Sequence, residues 1–329
     1  MDRYSFEDCV AVQFPVSGVC DLCRSAKAKE GGIKLKKCTG CSEVLYCSKK
    51  CQIEAWPKHK EMCRSKTKES AAELGYSSSA SLANSLRRWA SIHMWSLQRI
   101  VEAIAHETEG GADEHLENQR AMVFVLSPGK PDPDDPSNPA KAFRLEESSI
   151  VSRGEREFLD SQWPFIESTC RNMARSMRPE LGEAERQAFA GFMPAAFHFK
   201  TTGMVSFTQY PLYRLRDHGS GPSYKHSPAE GERKLFDDIA TLYMELSNLG
   251  MVLRAPGGDD NQPFPEAGFY RPLKKNLKSW KWVPAPDWDW ELADSAPAPY
   301  GSVSVMLRRY HKLLAQRNFQ VDGFFDPPE

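Results

Sequence analysis

Seven cysteines and one histidine lie in four closely spaced pairs near the start of the chain. The pairs are Cys20-x2-Cys23, Cys38-x2-Cys41, Cys47-x3-Cys51 and His59-x3-Cys63. A C-x2-C turn directs two thiolates at one ion, and two residues at i and i+4 share one face of a helix. Eight such ligands divide into two sets of four, which is the closed tetrahedral coordination of structural zinc. The spacing therefore predicts two structural zinc ions.

Two other uses of these cysteines fit the pattern less well. Iron–sulfur clusters also take thiolates, but four tandem pairs that include a histidine favour zinc. Disulfides are not expected, because the total of nine cysteines is odd and the first residues contain no apolar segment followed by a small-residue cleavage site. We therefore expect a protein of a reducing, intracellular compartment, with cytoplasm and nucleus both open.

The segment from Cys20 to Cys63 is too small for an ordinary hydrophobic core. Chains of about 40 residues bury too little apolar surface to offset the conformational entropy lost on folding. A structural zinc site contributes roughly 10–16 kcal/mol at neutral pH. We therefore predict that this segment unfolds when zinc is removed. The spacing alone does not show which pairs share an ion.

Two stretches within this segment carry a family resemblance. They are YCSKKCQ at Tyr46–Gln52 and AWPKHKEMC at Ala55–Cys63. Together with the four pairs, they resemble the MYND zinc finger. The resemblance implies that the pairs interleave, so that one zinc ion takes Cys20, Cys23, Cys47 and Cys51. It implies that the other takes Cys38, Cys41, His59 and Cys63.

MYND fingers act as protein-interaction modules that dock short proline-containing peptides, and the resemblance assigns the peptide groove to Gln52 and Trp56. Tryptophan offers an apolar face to a proline ring, and glutamine can hydrogen-bond the peptide backbone. Ala55 departs from the family, which often has an acidic residue there, so a preference for a basic flank in the ligand is not implied. Packing of Trp56 against the zinc-bound helices is an alternative that is compatible with a groove.

Charge gives no evidence for a nucleic-acid or membrane partner. The formal net charge is −1, although the first seventy residues are rich in lysine. These lysines lack the interleaved aromatic residues of a single-strand binder and form no recognition helix, so a solvated face is the simpler interpretation. No apolar run approaches the roughly 20 residues that cross a bilayer. A nucleic-acid regulator remains a weaker alternative that predicts salt-dependent binding.

The sequence predicts an N-terminal segment (1–19), the finger (20–63), a polar linker (64–81) and a larger helix-rich α+β domain (82–329). The layout is similar to fungal proteins that pair a MYND finger with a helix-rich domain. Apolar periodicity predicts four helices in the large domain. They cover 82–104, Glu155–Met177 with a break at Pro164, Glu232–Leu253 and Ser302–Arg317. Predicted strands are Met122–Leu126 and the pair Ala195–Phe199 and Met204–Gln209.

Enzyme chemistry finds little support in this large domain. The SET-domain methyltransferases that carry MYND fingers have an N-H-S-C-x-P-N-type segment, which is missing, and the finger is preceded by more than nineteen residues in that family. His106 and His115 among acidic residues are interpreted as a hydrophilic loop, His93 as a partly buried helix residue, and Cys170 as a buried thiol. The tryptophans of Trp280–Trp290 are interpreted as anchors of an irregular, proline-rich segment rather than as a cation cage.

Two functional hypotheses follow from the sequence. The first is an intracellular zinc-dependent adaptor whose finger recruits a protein partner, with a proline-rich peptide as the ligand. The second is an enzyme with an unrecognised catalytic domain, which predicts a deep pocket with convergent polar groups in residues 82–329.

Overall fold

A five-stranded mixed sheet organises the larger part of the chain. The structure is a computed structural model that describes residues 10–13, 20, 22–23, 35–38, 44–64, 71, 73–77, 79–129, 137–160, 162–215, 228–255, 264–273, 276–285, 288–290 and 302–315. The sheet strands are β1 (Val10–Gln13), β4 (Arg120–Pro128), β5 (Phe143–Ser152), β6 (Phe189–Phe199) and β7 (Met204–Tyr213). Their order is β1-β7-β6-β4-β5, in which β1 with β7 and β6 with β4 are parallel and the other two pairs are antiparallel.

Both faces of this sheet are covered by helices, because successive residues of its central strands point to opposite sides. In β4, Phe124 packs on one side and Val123 on the other, and both are buried. The first side is covered by α2 (Ser79–Ile92), α3 (Met94–Glu107), α4 (Gly111–Glu117), α8 (Glu230–Asn248) and α9 (Val303–Ala315). The second side is covered by α5 (Glu157–Asp160), α6 (Trp163–Met177) and α7 (Glu183–Ala188). The fold class is α+β, as predicted.

The predicted strands are confirmed. Met122–Leu126 lies within β4, and the pair around Thr201-Thr202-Gly203 forms the antiparallel neighbours β6 and β7, with Ala195 opposite Thr208. A strand buried on both faces needs an almost continuous apolar sequence, and β4 has one in RAMVFVLSP.

The helix predicted over 82–104 is in fact two helices, α2 and α3, which meet at His93. His93 is completely buried rather than partly buried, and its Nε2 lies 2.9 Å from the carbonyl oxygen of Ala140. Burial lowers the pKa of His93 to about 4, so the ring is neutral at physiological pH and donates to that carbonyl. The prediction failed because both helices carry an apolar stripe of the same period.

Two predicted helix boundaries also change. The helix predicted over Glu232–Leu253 ends at Asn248, and Met251 begins strand β8. The Asn248 amide accepts from the Leu145 backbone N–H at 2.7 Å and donates to the Leu145 carbonyl at 2.9 Å, and Gly250 then turns the chain with φ +76°. The predicted helix break does not fall at Pro164 itself. It lies between α5 and α6, and α6 starts at Trp163 with this proline in its first turn.

The tryptophan-rich region was predicted to be irregular, but its first part, up to Pro284, forms a strand of a second sheet. Strands β8 (Met251–Arg254), β9 (Glu266–Leu273) and β10 (Asn276–Pro284) pair antiparallel in the order β10-β9-β8. The Trp282 indole donates to the Val252 carbonyl, and the Arg254 guanidinium lies 4.2 Å from the centroid of the Trp282 ring. The indoles do anchor this region to the core, because Trp290 is buried and donates to the carbonyl of Pro265.

The final predicted helix is observed as α9, and residues 316–317 of its predicted range lie outside the described part. Across the described residues, no helix combines the length and apolar character that crossing a bilayer demands.

Candidate metal centre

A short hairpin and one helix position the ligands of the finger. Strands β2 (Lys36–Lys37) and β3 (Leu45–Tyr46) pair antiparallel, and helix α1 (Lys49–Arg64) follows them. The Cys38 backbone N–H donates to the Val44 carbonyl at 2.9 Å, which closes the chain just after β2. Cys47 lies two residues before α1 and Cys51 lies in its first turn, so the spacing of four residues brings both thiols to the start of the helix.

Four thiols converge at this helix start. The Sγ atoms of Cys20, Cys23, Cys47 and Cys51 all lie within 4.8 Å of one another. Cys47 Sγ is 3.5 Å from both Cys23 Sγ and Cys51 Sγ. Four sulfurs at about 2.3 Å from a tetrahedral zinc ion are separated by about 3.8 Å, which matches this arrangement. The first ligand set implied by the family resemblance is therefore brought together.

The electrostatics of the four thiols also suit a cation. Neighbouring thiols, first that of Cys51 and then that of Cys23, raise the pKa of Cys47 to about 12. Burial acts to raise the pKa of Cys20, but backbone N–H groups of Cys23, Cys47 and Leu22 outweigh it, and the pKa is lowered. Four adjacent thiolates repel one another unless a positive ion sits among them, and divalent zinc supplies that charge.

The second ligand set that the family resemblance implies is described only in part. Cys38 is 1% exposed and His59 is 3% exposed, so both are buried within the finger. Cys41 and the side chain of Cys63 lie outside the described residues. The His59 ring is edge-on to Tyr46 at 6.2 Å and to Trp56 at 5.9 Å between ring centroids. A buried imidazole and a buried thiol are suitable zinc ligands.

The two predicted groove residues border this second set. Gln52 Nε2 donates to Cys38 Sγ at 3.9 Å, and Trp56 packs edge-on against His59. Both side chains are half-buried, so packing on the ligands and partial exposure occur together. The sequence did not reveal that the neighbouring Ile53 is 63% exposed, although its place on the helix face opposite Cys51 could have indicated it.

Other candidate residues serve the core of the large domain. The prediction of a hydrophilic loop at His106 and His115 is wrong, because both histidines are 1% exposed and lie in α3 and α4. His115 Nε2 lies 3.0 Å from the Ala105 carbonyl oxygen, and Asp113 forms a two-pronged ion pair with Arg214, both contacts at 2.7 Å.

Cys170 is a buried thiol, as predicted, and burial raises its pKa to about 12. Within the described residues, Cys20, Cys23, Cys47 and Cys51 are the one group of metal-ligand side chains that converges on a common point.

The finger segment is similar in sequence to known proteins. The model of the MYND finger matches residues 20–63. Over 47 residues the chain is 47% identical to a SET and MYND domain-containing protein of Dictyostelium discoideum, covering 14% of this chain and 9% of that protein. Over 46 residues it is 46% identical to the human histone-lysine N-methyltransferase SMYD3, covering 14% of this chain and 10% of that protein.

A third relative is the zinc finger MYND domain-containing protein 10 homolog of Drosophila melanogaster, 48% identical over 44 residues, which cover 13% of this chain and 8% of that protein. The chain thus matches about a tenth of the length of these relatives, and only over the finger. No solved structure is significantly similar to the chain. MYND domains generally mediate protein–protein interactions. Residues 20–63 of this chain are a MYND finger.

Proposed function

We propose that this protein is an intracellular adaptor whose finger holds two structural zinc ions and recruits a partner through a proline-rich peptide. The observation that carries the proposal is the position of Gln52 and Trp56, which contact the ligands Cys38 and His59 while remaining half-exposed. The same two side chains can therefore be held by the metal-binding framework and still reach a ligand.

The metal ions have a structural task in this proposal. The first would be held by Cys20, Cys23, Cys47 and Cys51, and the second by Cys38, Cys41, His59 and Cys63. Four protein ligands leave no open position for water or substrate, so a site of this kind stabilises a fold and performs no chemistry. Ligation by thiolates requires reduced cysteines, which supports an intracellular location.

Gln52 has a defined role in this groove. A zinc-bound thiolate can only accept hydrogen bonds, so the contact with Cys38 fixes the Gln52 NH2 group toward the sulfur. The Gln52 carbonyl oxygen is then the group that accepts an N–H from the backbone of a bound peptide. Trp56 supplies the apolar surface on which a proline ring packs.

A fluorescence-anisotropy titration tests the groove. The probe is a labelled peptide with two prolines flanking a central leucine, and the full-length protein is titrated into it. We expect Gln52→Ala and Trp56→Ala each to weaken binding at least about tenfold, the loss of one anchoring contact at an interface. Non-denaturing mass spectrometry on the same samples should show an unchanged zinc content.

Met173→Ala is the matched control, because Met173 is a large apolar side chain of α6 that is 39% exposed. It should leave the dissociation constant unchanged. Undiminished binding by both finger variants with zinc in place would show that the groove hypothesis is wrong.

A further inference from the structure

Helix α1 has a second face, centred on Ile53, on the side of the helix opposite Cys51. Lys49, Ile53, Trp56 and Lys60 follow one another at intervals of four, three and four residues, so they form a single stripe along the helix. We name these four residues the outer stripe. Ile53 is 63% exposed, and both lysines are exposed. Trp56 is half-buried at the edge nearest His59, so the outer stripe is continuous with the proposed groove.

Positive charge predominates in the finger that carries the outer stripe. Between Cys20 and Cys63 the sequence has ten lysines and arginines but five acidic residues. The carboxylate of Glu54 on α1 lies 3.9 Å from the ammonium group of Lys50, a lysine outside the outer stripe. The outer stripe thus presents an apolar centre with a positive charge toward each end.

We infer that the partner peptide carries acidic residues on both sides of its apolar core. This inference rests on the proposed function and specifies the ligand of the same site. The apolar core packs on Ile53 and Trp56, and flanking carboxylates pair with Lys49 and Lys60. At about 1.5 Å rise per residue the two lysines are about 16 Å apart along the helix, which an extended peptide spans with about five residues.

An acidic peptide fits the outer stripe better than a nucleic acid. Single-stranded nucleic acids bind where several aromatic rings alternate with basic residues and stack on successive bases. The outer stripe offers one aromatic ring, whose edge contacts His59, and a branched aliphatic side chain. An apolar anchor between like charges is instead complementary to an amphipathic peptide of opposite charge.

Paired titrations test the inference with three labelled peptides that share one proline–leucine–proline core. Their flanks are two aspartates, two asparagines or two lysines on each side. We expect the aspartate peptide to bind most tightly and the lysine peptide least. Lys49→Gln and Lys60→Gln should each weaken the binding of the aspartate peptide about two- to fivefold, the usual range for exposed ion pairs. The asparagine peptide should be unaffected, and added salt should reduce the difference.

Two matched controls separate charge from position. Lys50→Gln removes a lysine of the same helix that already has Glu54 beside it, and it should change affinity less than twofold. Ile53→Ser should weaken the binding of the aspartate and asparagine peptides by the same factor. Leu249→Ser, at a residue of the large domain that is 64% exposed, should leave the binding of both peptides unchanged.

Three outcomes would overturn the inference. Equal binding of the aspartate and asparagine peptides would leave the adaptor proposal intact and show that the ligand needs no acidic flanks. Loss of zinc from the lysine variants would show that these lysines balance the charge of the thiolate centres. A lysine-dependent affinity for a labelled oligonucleotide that exceeds the affinity for every peptide would point to nucleic acid. Failure of all three peptides to bind would contradict the proposed function itself.

Discussion

A charged pair lies inside the largest apolar cluster of the molecule. Arg99 and Glu102, one turn apart on α3, are 2.7 Å from each other, with side chains 8% and 0% exposed. The Arg99 guanidinium also lies 5.3 Å from the Trp95 ring centroid, and Tyr310 donates to the Arg99 carbonyl at 3.5 Å. Desolvating two charges is costly, so the pair is retained only while each charge balances the other.

Removal of one charge from this pair should be strongly destabilising. Glu102→Gln keeps the shape of the side chain but removes the negative charge that lies 2.7 Å from the buried Arg99 guanidinium, and we expect a loss of about 3–5 kcal/mol. The control is Glu167→Gln, which breaks an exposed pair with Arg171 and should cost less than about 1 kcal/mol. Urea unfolding followed by circular dichroism measures both, and equal losses would contradict the argument.

Residue identity and spacing predicted the convergence of four thiols, but not the surroundings of the finger cysteines. The spacing of Cys20, Cys23, Cys47 and Cys51 suffices to predict a metal site, because thiols in such pairs have few other uses. The contact of Gln52 with Cys38 was not predictable from spacing, since it depends on how α1 packs against the hairpin. The burial of His106 and the complete burial of His93 were also missed, because polar residues are assigned to the surface by default.

At the scale of elements, prediction succeeded where one apolar pattern governs a segment and failed where two elements share it. Strand β4 is apolar throughout and is covered on both faces, so its sequence identifies it. The second sheet was missed because Pro272 lies near the end of β9 and Pro284 ends β10, and prolines favour an irregular interpretation. Its strands are held by contacts such as Trp282 on Arg254, which join residues distant in sequence.

Gly268 lies where the second sheet has no room for a side chain. A Cβ atom added there would lie 2.4 Å from Trp282 Cε2 and 2.6 Å from the Val283 carbonyl oxygen. Gly268→Ala should therefore displace the Trp282 ring and cost about 1–3 kcal/mol by overpacking.

Gly231→Ala is the control, because a Cβ atom in this helical position meets nothing within 4 Å. It should stabilise the protein by about 0.5–1 kcal/mol. Thermal unfolding monitored by tryptophan fluorescence distinguishes the two changes. A neutral Gly268→Ala would show that the ring has room to move.

At the scale of the whole molecule, two kinds of stabilisation coexist. The buried residues of the finger form a small cluster around Cys20, Cys38, Val44, Tyr46 and Ala55. The large domain instead has extensive apolar layers on both sides of its sheet. Family resemblance extended only over the finger, so the three-layer arrangement of the rest had to come from the structure.

Chelation of zinc should affect these two parts differently. With a strong chelator, we expect proteolysis to cleave within 20–63 while most of the circular dichroism signal of the large domain persists, because metal replaces the missing core only in the finger. Cys51→Ser should reduce the zinc content seen by non-denaturing mass spectrometry, and Cys170→Ser, at a buried thiol outside the ligand sets, should not. A finger that resists proteolysis after complete chelation would contradict a structural role for zinc.

The pairing of β1 with β7 has a practical consequence for anyone who wishes to study the large domain alone. Val10–Gln13 precede the finger in the chain yet lie beside Met204–Phe207. An amino-terminal truncation at residue 64 would therefore remove the edge strand β1 and expose unpaired backbone groups of β7. Such exposed edges promote aggregation. Excising 20–63 internally and bridging the gap with a flexible glycine–serine linker would keep that strand in place.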